Sequence, residues 1–232
     1  MDAHCHYNAT AFNEYRGACE FICNSTCEED WAAIISAATA DNHIHPAIGV
    51  HPWYWTHSRH GWPERMRQIL IEHPNMTVGE IGMDKSRPHL GIQRKIFKIQ
   101  YKMAAELGRT AHLHCVHAWD EMLKILQNNP SPPAIVVHRY SSSEQFMPVL
   151  RRSVDDKIYF SYREINSNRM RKIIMATPSS RILVETDSWR PQPDKIMELI
   201  AQIAFIRGCK TSDMADIIYN NSLQVINNGQ IA

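Results

Sequence analysis

The chain has 232 residues and no apolar run approaching the roughly 18 residues that a bilayer-spanning helix needs, so no membrane segment is expected. It has almost no net charge. Twenty-five basic and 24 acidic side chains leave a formal +1, so no global field draws the protein to a polyanion, and any contact with nucleic acid must be local. No basic segment precedes an apolar core at the N-terminus, where Asp2, His4, His6 and Asn8 stand instead; no secretory signal is read, and the cytoplasm is the expected compartment. No Gly-x-Gly-x-x-Gly follows any apolar run, which removes the case for a dinucleotide and leaves no organic cofactor expected. No Cys-x2-Cys pair occurs either. The spacing Cys19-x3-Cys23-x3-Cys27 matches no usual zinc pattern, so these are read as reduced structural thiols. Ser25 followed by Glu28 reads as a capping box opening a helix just after them.

What is present is a rhythm. Short apolar runs alternate with amphipathic helical patterns along a chain that is 44% apolar and 21% charged, as in one soluble globular domain over residues 1–232. The strand candidates are Asp2–His6, Cys19–Cys23, Ile44–Val50, Thr77–Ile81, Ala111–Cys115, Ala134–His138, Ile158–Ser161 and Ile182–Glu185. Helical patterns cover Glu28–Ala40, Glu64–Glu72, Ile92–Leu107, Trp119–Gln127, Ser143–Arg152, Asn168–Ala176, Lys195–Ile206 and Asp213–Ile226. In the third of these, Ile92, Ile96, Ile99, Met103 and Leu107 recur as one helix face, and Gly108 suits the left-handed position after its end. Strand–helix alternation implies a parallel sheet. Eight units fit a single (β/α)8 TIM-type barrel, slightly below the usual length of roughly 250 residues; an open doubly wound sheet is the alternative.

The chemistry starts at Asp2-Ala3-His4-Cys5-His6. Two imidazoles at i and i+2 on a strand point to the same side, so both reach one metal ion; on a helix they would not. A barrel collects its chemistry at the C-terminal ends of its strands. There the sequence places His51 after strand three, Glu80 in strand four, His114 in strand five, His138 after strand six and Glu185-Thr186-Asp187 after strand eight. Imidazole with carboxylate is a ligand set for Zn²⁺, Mn²⁺ or Fe²⁺, and carboxylate also suits Mg²⁺. Glu80 is the best candidate to bridge two ions, because Gly79 and Gly82 let backbone and ligands come close. His112, two residues before His114, faces the same side and is the alternative ligand.

Taken together, Asp2 to His6, Gly49-Val50-His51-Pro52-Trp53, Val78-Gly79-Glu80-Ile81-Gly82-Met83-Asp84, the segments around His114 and His138, and Glu185-Thr186-Asp187 resemble the TatD family of metal-dependent hydrolases, in the family's order. The resemblance implies a barrel with one or two divalent ions (Mg, Mn or Zn) that hydrolyses phosphodiester bonds, often as a deoxyribonuclease acting on DNA or short oligonucleotides. Carried over, His4 and His6 bind the first metal with Glu80 and Asp187, and His114 and His138 bind the second while sharing Glu80. Asp187 also orients or deprotonates the attacking water. The rim departs from the family's pattern. His117 stands where a basic residue is usual, Arg139-Tyr140-Ser141 replaces a small turn, and Ser188-Trp189-Arg190 replaces a proline turn.

His51, Lys85 and Arg163 are the expected substrate contacts, and Trp53, Tyr54 and Trp55 either stack bases or pack on the rim. The remaining histidines, including His43, His45, His57, His60, His73 and His89, show no ligand geometry. Two other functions compete. An amidohydrolase cutting C–N bonds often bridges its metals through a modified lysine on strand four, and that strand here has none. A metal-binding protein without catalysis would lack ligands, and none is missing.

Overall fold

The computed structural model describes residues 1–15 and 17–227. Eight strands form one sheet in chain order: β1 (Asp2–Cys5), β2 (Phe21–Asn24), β3 (Ile44–Ile48), β4 (Thr77–Asp84), β5 (Ala111–Val116), β6 (Ile135–Val137), β7 (Ile158–Tyr162) and β8 (Ile182–Val184). Each pairs in parallel with the next. The ends of the sheet meet beyond the ladders. Asp187 N–H donates to the His4 carbonyl at 2.9 Å, and His6 N–H to that of Ser188 at 2.9 Å, which draws β8 against β1 into a nearly closed barrel. The doubly wound alternative is thereby excluded. All eight strands fall where apolar runs stand in the sequence, with edges shifted by a residue or a few.

The connections carry the helices α1 (Ala9–Glu14), α2 (Trp31–Ala40), α3 (Trp62–Glu72), α4 (Leu90–Glu106), α5 (Trp119–Gln127), α6 (Met147–Ser153), α7 (Asn168–Ala176), α8 (Pro193–Arg207) and α9 (Thr211–Ile226). Helix α1 has no counterpart in the sequence reading. It is 6 residues long, capped by the Asn8 side chain on Ala11 N–H, and too short to show a period. No helix among the described residues is long and apolar enough to cross a membrane.

Two expectations about local structure change. Ser25 does not cap a helix; its hydroxyl takes the Gly49 N–H at 2.7 Å and donates to the Gly49 carbonyl at 3.0 Å, tying β2 to the segment after β3. Cys27 is the capping residue instead, ahead of a single 3-10 turn at Glu28–Asp30, and the Asp30 carboxylate takes the N–H groups of Thr26 and Cys27. In α4 the buried positions are Gln93, Phe97, Gln100, Tyr101, Met103 and Ala104, whereas Ile92 and Ile99 are exposed. The apolar spacing misplaced this face because the helix buries two glutamines. The Gln100 amide takes the Val50 N–H at 2.7 Å and donates to the Val50 carbonyl at 3.1 Å. The Gln93 amide does the same for Asp84, at 2.8 and 3.1 Å. Both seal the backbone just where β3 and β4 deliver their functional residues. Gly108, with φ at 64°, ends α4 as expected.

Most of the core lies between the strands and the surrounding helices, from Ile48, Val78 and Leu113 to Phe97, Leu150 and Ile203. A smaller cluster of Ile22, Ala47, Val136, Tyr159 and Leu183 packs with Val225 of α9. Val136 and Leu183 each stand two residues before a polar residue at the strand end, His138 and Glu185, so the same strand face is apolar below and polar at the mouth.

Candidate metal centre

Glu80 is the hub. It stands within β4, buried, on a backbone with no room for side chains beside it: a Cβ on Gly79 would lie 2.4 Å from Asn24 Oδ1, and one on Gly82 would lie 1.9 Å from the His114 carbonyl oxygen. Its two oxygens face two groups. Oε2 is 3.3 Å from His4 Nε2 and 3.8 Å from His6 Nε2. Oε1 is 2.7 Å from His138 Nε2, 2.8 Å from His114 Nδ1 and 3.5 Å from His51 Nε2. Asp187 completes the first group, with Oδ1 3.3 Å from His6 Nε2 and 3.9 Å from His4 Nε2. Potential ligand atoms within 4.8 Å of one another thus come from His4, His6 and Asp187, from His4, Glu80 and His138, and from His51, Glu80 and His114. The six residues expected as ligands all meet here.

Whether metal ions fit is decided by the far side of each imidazole. His6 donates Nδ1–H to the Asn24 carbonyl at 2.9 Å, which leaves Nε2, facing Asp187 and Glu80, as the nitrogen available to a metal. His138 turns Nδ1 to Glu185 Oε1 at 3.3 Å and Nε2 to Glu80. His114 turns Nε2 toward Asp84 Oδ2 at 3.6 Å and Nδ1 to Glu80. His4 is the exception: it is fully buried with neither ring nitrogen hydrogen-bonded, so no outer acceptor fixes its proton. An outer acceptor that fixes the proton while the inner nitrogen is left free is the arrangement of a metal-bound histidine. The donor set fits a divalent ion, and Glu80 fits a bridge.

His51 differs. The Trp53 backbone N–H donates to its Nδ1 at 3.1 Å, so in the neutral ring the proton sits on Nε2, which faces Glu80 and His114. Burial pushes its pKa down to about 3, the Glu80 charge opposing this only in part. It is a neutral donor inside the ligand ring.

Electrostatics knit the cluster. Burial alone would raise the Glu80 pKa, but the imidazoles of His138, His51 and His4 hold it well below the usual range. Burial likewise opposes charge on His138, yet Glu80 and Glu185 lift it well above its ordinary value. His6 and His114 are raised against their burial by Asp187 with Glu80, and by Asp84 with Glu80, respectively. His4 is lowered by burial and by His138. Without metal, protons on imidazoles balance the two carboxylates.

The residues around the centre sort differently. His112 is fully buried one layer below, bonded at neither nitrogen and pushed to about 3 by burial; it joins none of the ligand groups. Arg163 donates Nε–H to the Thr186 carbonyl at 3.1 Å beside the mouth. Lys85 is exposed just after β4. Trp53 donates its indole N–H to Asp84 Oδ2 at 2.7 Å, and the Arg87 guanidinium covers its ring at 4.3 Å; Trp55 packs against the main core. Three residues not singled out from the sequence act here. Asp84 and Glu185 back the imidazoles of His114 and His138, and Arg139 Nη1 donates to Asp187 Oδ2 at 3.0 Å. The signal for the first two was their place in the strand-end segments that carry Glu80 and Asp187. In the segments that follow β2 and β3, at the same end of the barrel, ligand atoms of Cys27, Glu29 and His57 also lie within 4.8 Å of one another, a grouping that the spacing of the histidines does not disclose.

Known proteins share this architecture. The crystal structure of YJJV, a TatD homolog from Escherichia coli, superposes with a TM-score of 0.87 at 22% identity, covering 97% of each chain. A 3'-5' ssDNA/RNA exonuclease TatD of Erwinia tasmaniensis is 24% identical over 89% of this chain and 87% of its own length. An uncharacterized metal-dependent hydrolase of Methanocaldococcus jannaschii is 24% identical over 96% of this chain and 94% of its own. The family model described as TatD related DNase matches residues 1–227, and the chain belongs to that family.

Proposed function

We propose that the protein is a divalent-metal-dependent phosphodiesterase that trims single-stranded nucleic acid from its ends. The observation carrying this reading is that both oxygens of Glu80 face imidazoles, Oε2 those of His4 and His6 beside Asp187, and Oε1 those of His138 and His114. His4 and His6 with Glu80 and Asp187 would hold one ion; His114 and His138 with Glu80 would hold the other. Bound, these ions supply Lewis acidity toward a phosphate oxygen and lower the pKa of a bound water. The ion is Mg²⁺, Mn²⁺ or Zn²⁺ by donor type.

The chain's own groups do the rest. Asp187 stays ionised against its burial because His6, His4 and His138 surround it, and its Oδ2 turns toward the mouth and Arg139. It orients the attacking water and accepts its proton. His51, neutral with its proton on Nε2, turns that proton to Glu80 and His114 and so orients the ligand ring that a phosphate approaches. Arg163 and Lys85 meet neighbouring phosphates. The strand-four segment offers no lysine to bridge metals as an amidohydrolase would, and relatives named nucleases favour the phosphodiester reading.

The test begins with metal content on protein purified without added metal. Turnover is then measured on bis-p-nitrophenyl phosphate, 3′-ended single-stranded DNA and a panel of cyclic amides. Phosphodiester cleavage that falls by roughly 10²–10³ in Asp187→Asn, with the circular dichroism spectrum unchanged, supports the assignment. Cleavage of amides alone, or bound metal without any turnover, rejects it.

A further inference from the structure

A second set of metal-binding atoms lies at the mouth of the barrel, outside the Glu80 cluster. Cys27 Sγ, a Glu29 carboxylate oxygen and a His57 ring nitrogen all lie within 4.8 Å of one another; Cys27 is buried, and Glu29 and His57 are exposed. Among the described residues it is the one such grouping with a sulfur donor. Two loops meet in it. Cys27 and Glu29 follow β2, and His57 ends the 3-10 turn Trp55–His57 that follows β3.

These loops are fixed against each other on both sides of the grouping. The His51 N–H donates to the carbonyl of Thr26, the residue before Cys27, at 2.8 Å. Glu28, between the two donors of the β2 loop, takes the Arg59 N–H at 3.0 Å and its guanidinium at 2.9 Å, two residues beyond His57. Arg65 Nε–H donates to the same carboxylate at 2.7 Å. The donors themselves are not spent. Neither the Glu29 carboxylate nor the His57 ring forms a hydrogen bond or ion pair among the described residues, not even with each other, and the ring meets only that of Tyr54, edge to face. Burial and the Asp30 charge push the Cys27 pKa up, while the backbone N–H groups of Glu29 and Asp30 lie against Sγ and favour its thiolate.

Donor type chooses the cation. Thiolate and imidazole with a single carboxylate suit Zn²⁺ and Co²⁺; Mg²⁺ and Ca²⁺, which take oxygen, are disfavoured. With the thiol ionised, two negative charges face a doubly charged ion, which displaces the thiol proton. Tetrahedral bonds of about 2.0–2.3 Å set ligand atoms roughly 3.3–3.8 Å apart, so the exposed Glu29 and His57 side chains need to close by about 1 Å. Their exposure leaves a fourth position to water.

We propose that Cys27, Glu29 and His57 form a further metal site, for one Zn²⁺-type cation, separate from the Glu80 centre. The assignment does not depend on the phosphodiesterase reading. Bound there, the ion fastens the segment that carries His51 and Trp53 to the loop after β2, and Trp53 in turn braces Asp84 behind His114.

Co²⁺ is the probe, because a thiolate bound to it absorbs in the near ultraviolet and the Glu80 centre has no sulfur donor. Titrated into the metal-free full chain, Co²⁺ should produce that band to a level of one ion per chain, and Zn²⁺ should abolish it. Cys27→Ser should lack the band, whereas Cys209→Ser, which removes an exposed thiol elsewhere, should keep it. His57→Ala and Glu29→Gln, both at exposed positions, should weaken the affinity read from the band by about 10–100-fold, no less than the loss of an outer partner of a metal-bound imidazole. Zn²⁺ should also raise the melting temperature of the wild type more than that of His57→Ala. If Cys27→Ser does not fold, the two exposed variants decide. No band in the wild type, a band that survives Cys27→Ser, unchanged affinity in both exposed variants, or an equal Zn²⁺-dependent rise in melting temperature overturns the site.

Discussion

Asp84 never touches Glu80, yet it decides how His114 presents itself. Its Oδ1 takes the Ser86 N–H and hydroxyl at 2.8 and 2.6 Å, and its Oδ2 takes the Trp53 indole at 2.7 Å. Thus anchored, it faces His114 Nε2 at 3.6 Å and favours the tautomer that leaves Nδ1 free. Replacing Asp84 with Asn removes that charge at nearly the same shape. Carboxylates behind a metal-bound histidine are worth about 10–100-fold in metal affinity. Titration calorimetry with Mn²⁺ or Zn²⁺ on Asp84→Asn should show a loss of that size; an unaltered affinity would mean that Asp84 serves only the loop. A second expectation follows from the raised pKa values of His138, His6 and His114, whose burial is outweighed by the facing carboxylates. Metal must displace the protons that these imidazoles hold. Apparent affinity should therefore rise with pH through the neutral range, and calorimetry in buffers of different ionisation enthalpy should register proton release.

Helix α4 shows what pattern can and cannot disclose about an element. Its extent and its glycine end were legible, because propensity and apolar spacing are written locally. Its buried face was not. Gln93 and Gln100 look like solvent residues by hydropathy, and they are buried only because the backbone at Asp84 and Val50 lacks ladder partners there, a need that arises in three dimensions. Gln100→Leu would keep the helix and fill the space, but leave the buried Val50 N–H and carbonyl unpaired. At about 1–3 kcal/mol for each of the two stranded groups, denaturant unfolding should show a loss of about 2–6 kcal/mol. Val50 precedes His51, so turnover should fall as well. The site followed the same division. His4, His6, Glu80, His114, His138 and Asp187 could be found because strand-end position in a parallel barrel fixes which residues meet. The backing roles of Asp84 and Glu185 and the reach of Arg139 could not, since they depend on which ring nitrogen faces outward and on loop conformation.

Closure of the barrel concentrates at one buried acid. Asp2 is fully buried at the seam between β1 and β8; Oδ1 takes the Thr186 N–H at 3.0 Å and the His4 N–H at 3.3 Å, and Oδ2 takes the Thr186 hydroxyl at 2.5 Å. Burial pushes its pKa up to about 7, more than the hydrogen bonds from Thr186 and His4 pull it down. The folded state thus holds a proton that the unfolded chain, with an ordinary carboxylate near 3.8, has already released. A raised folded-state value contributes stability that is complete below about pH 4 and is lost as pH rises toward 7. At about 1.4 kcal/mol per unit, the swing is on the order of 4 kcal/mol. Asn at this position keeps the shape: its oxygen accepts from both backbone N–H groups, and its amide donates to Thr186. It cannot ionise. In metal-free protein, Asp2→Asn should remove the decline in melting temperature between pH 4 and 7 and make the variant more stable than the parent at pH 8. Parallel pH profiles for the two proteins would mean that Asp2 keeps an ordinary carboxylate pKa in the fold and that the seam carries no buried proton.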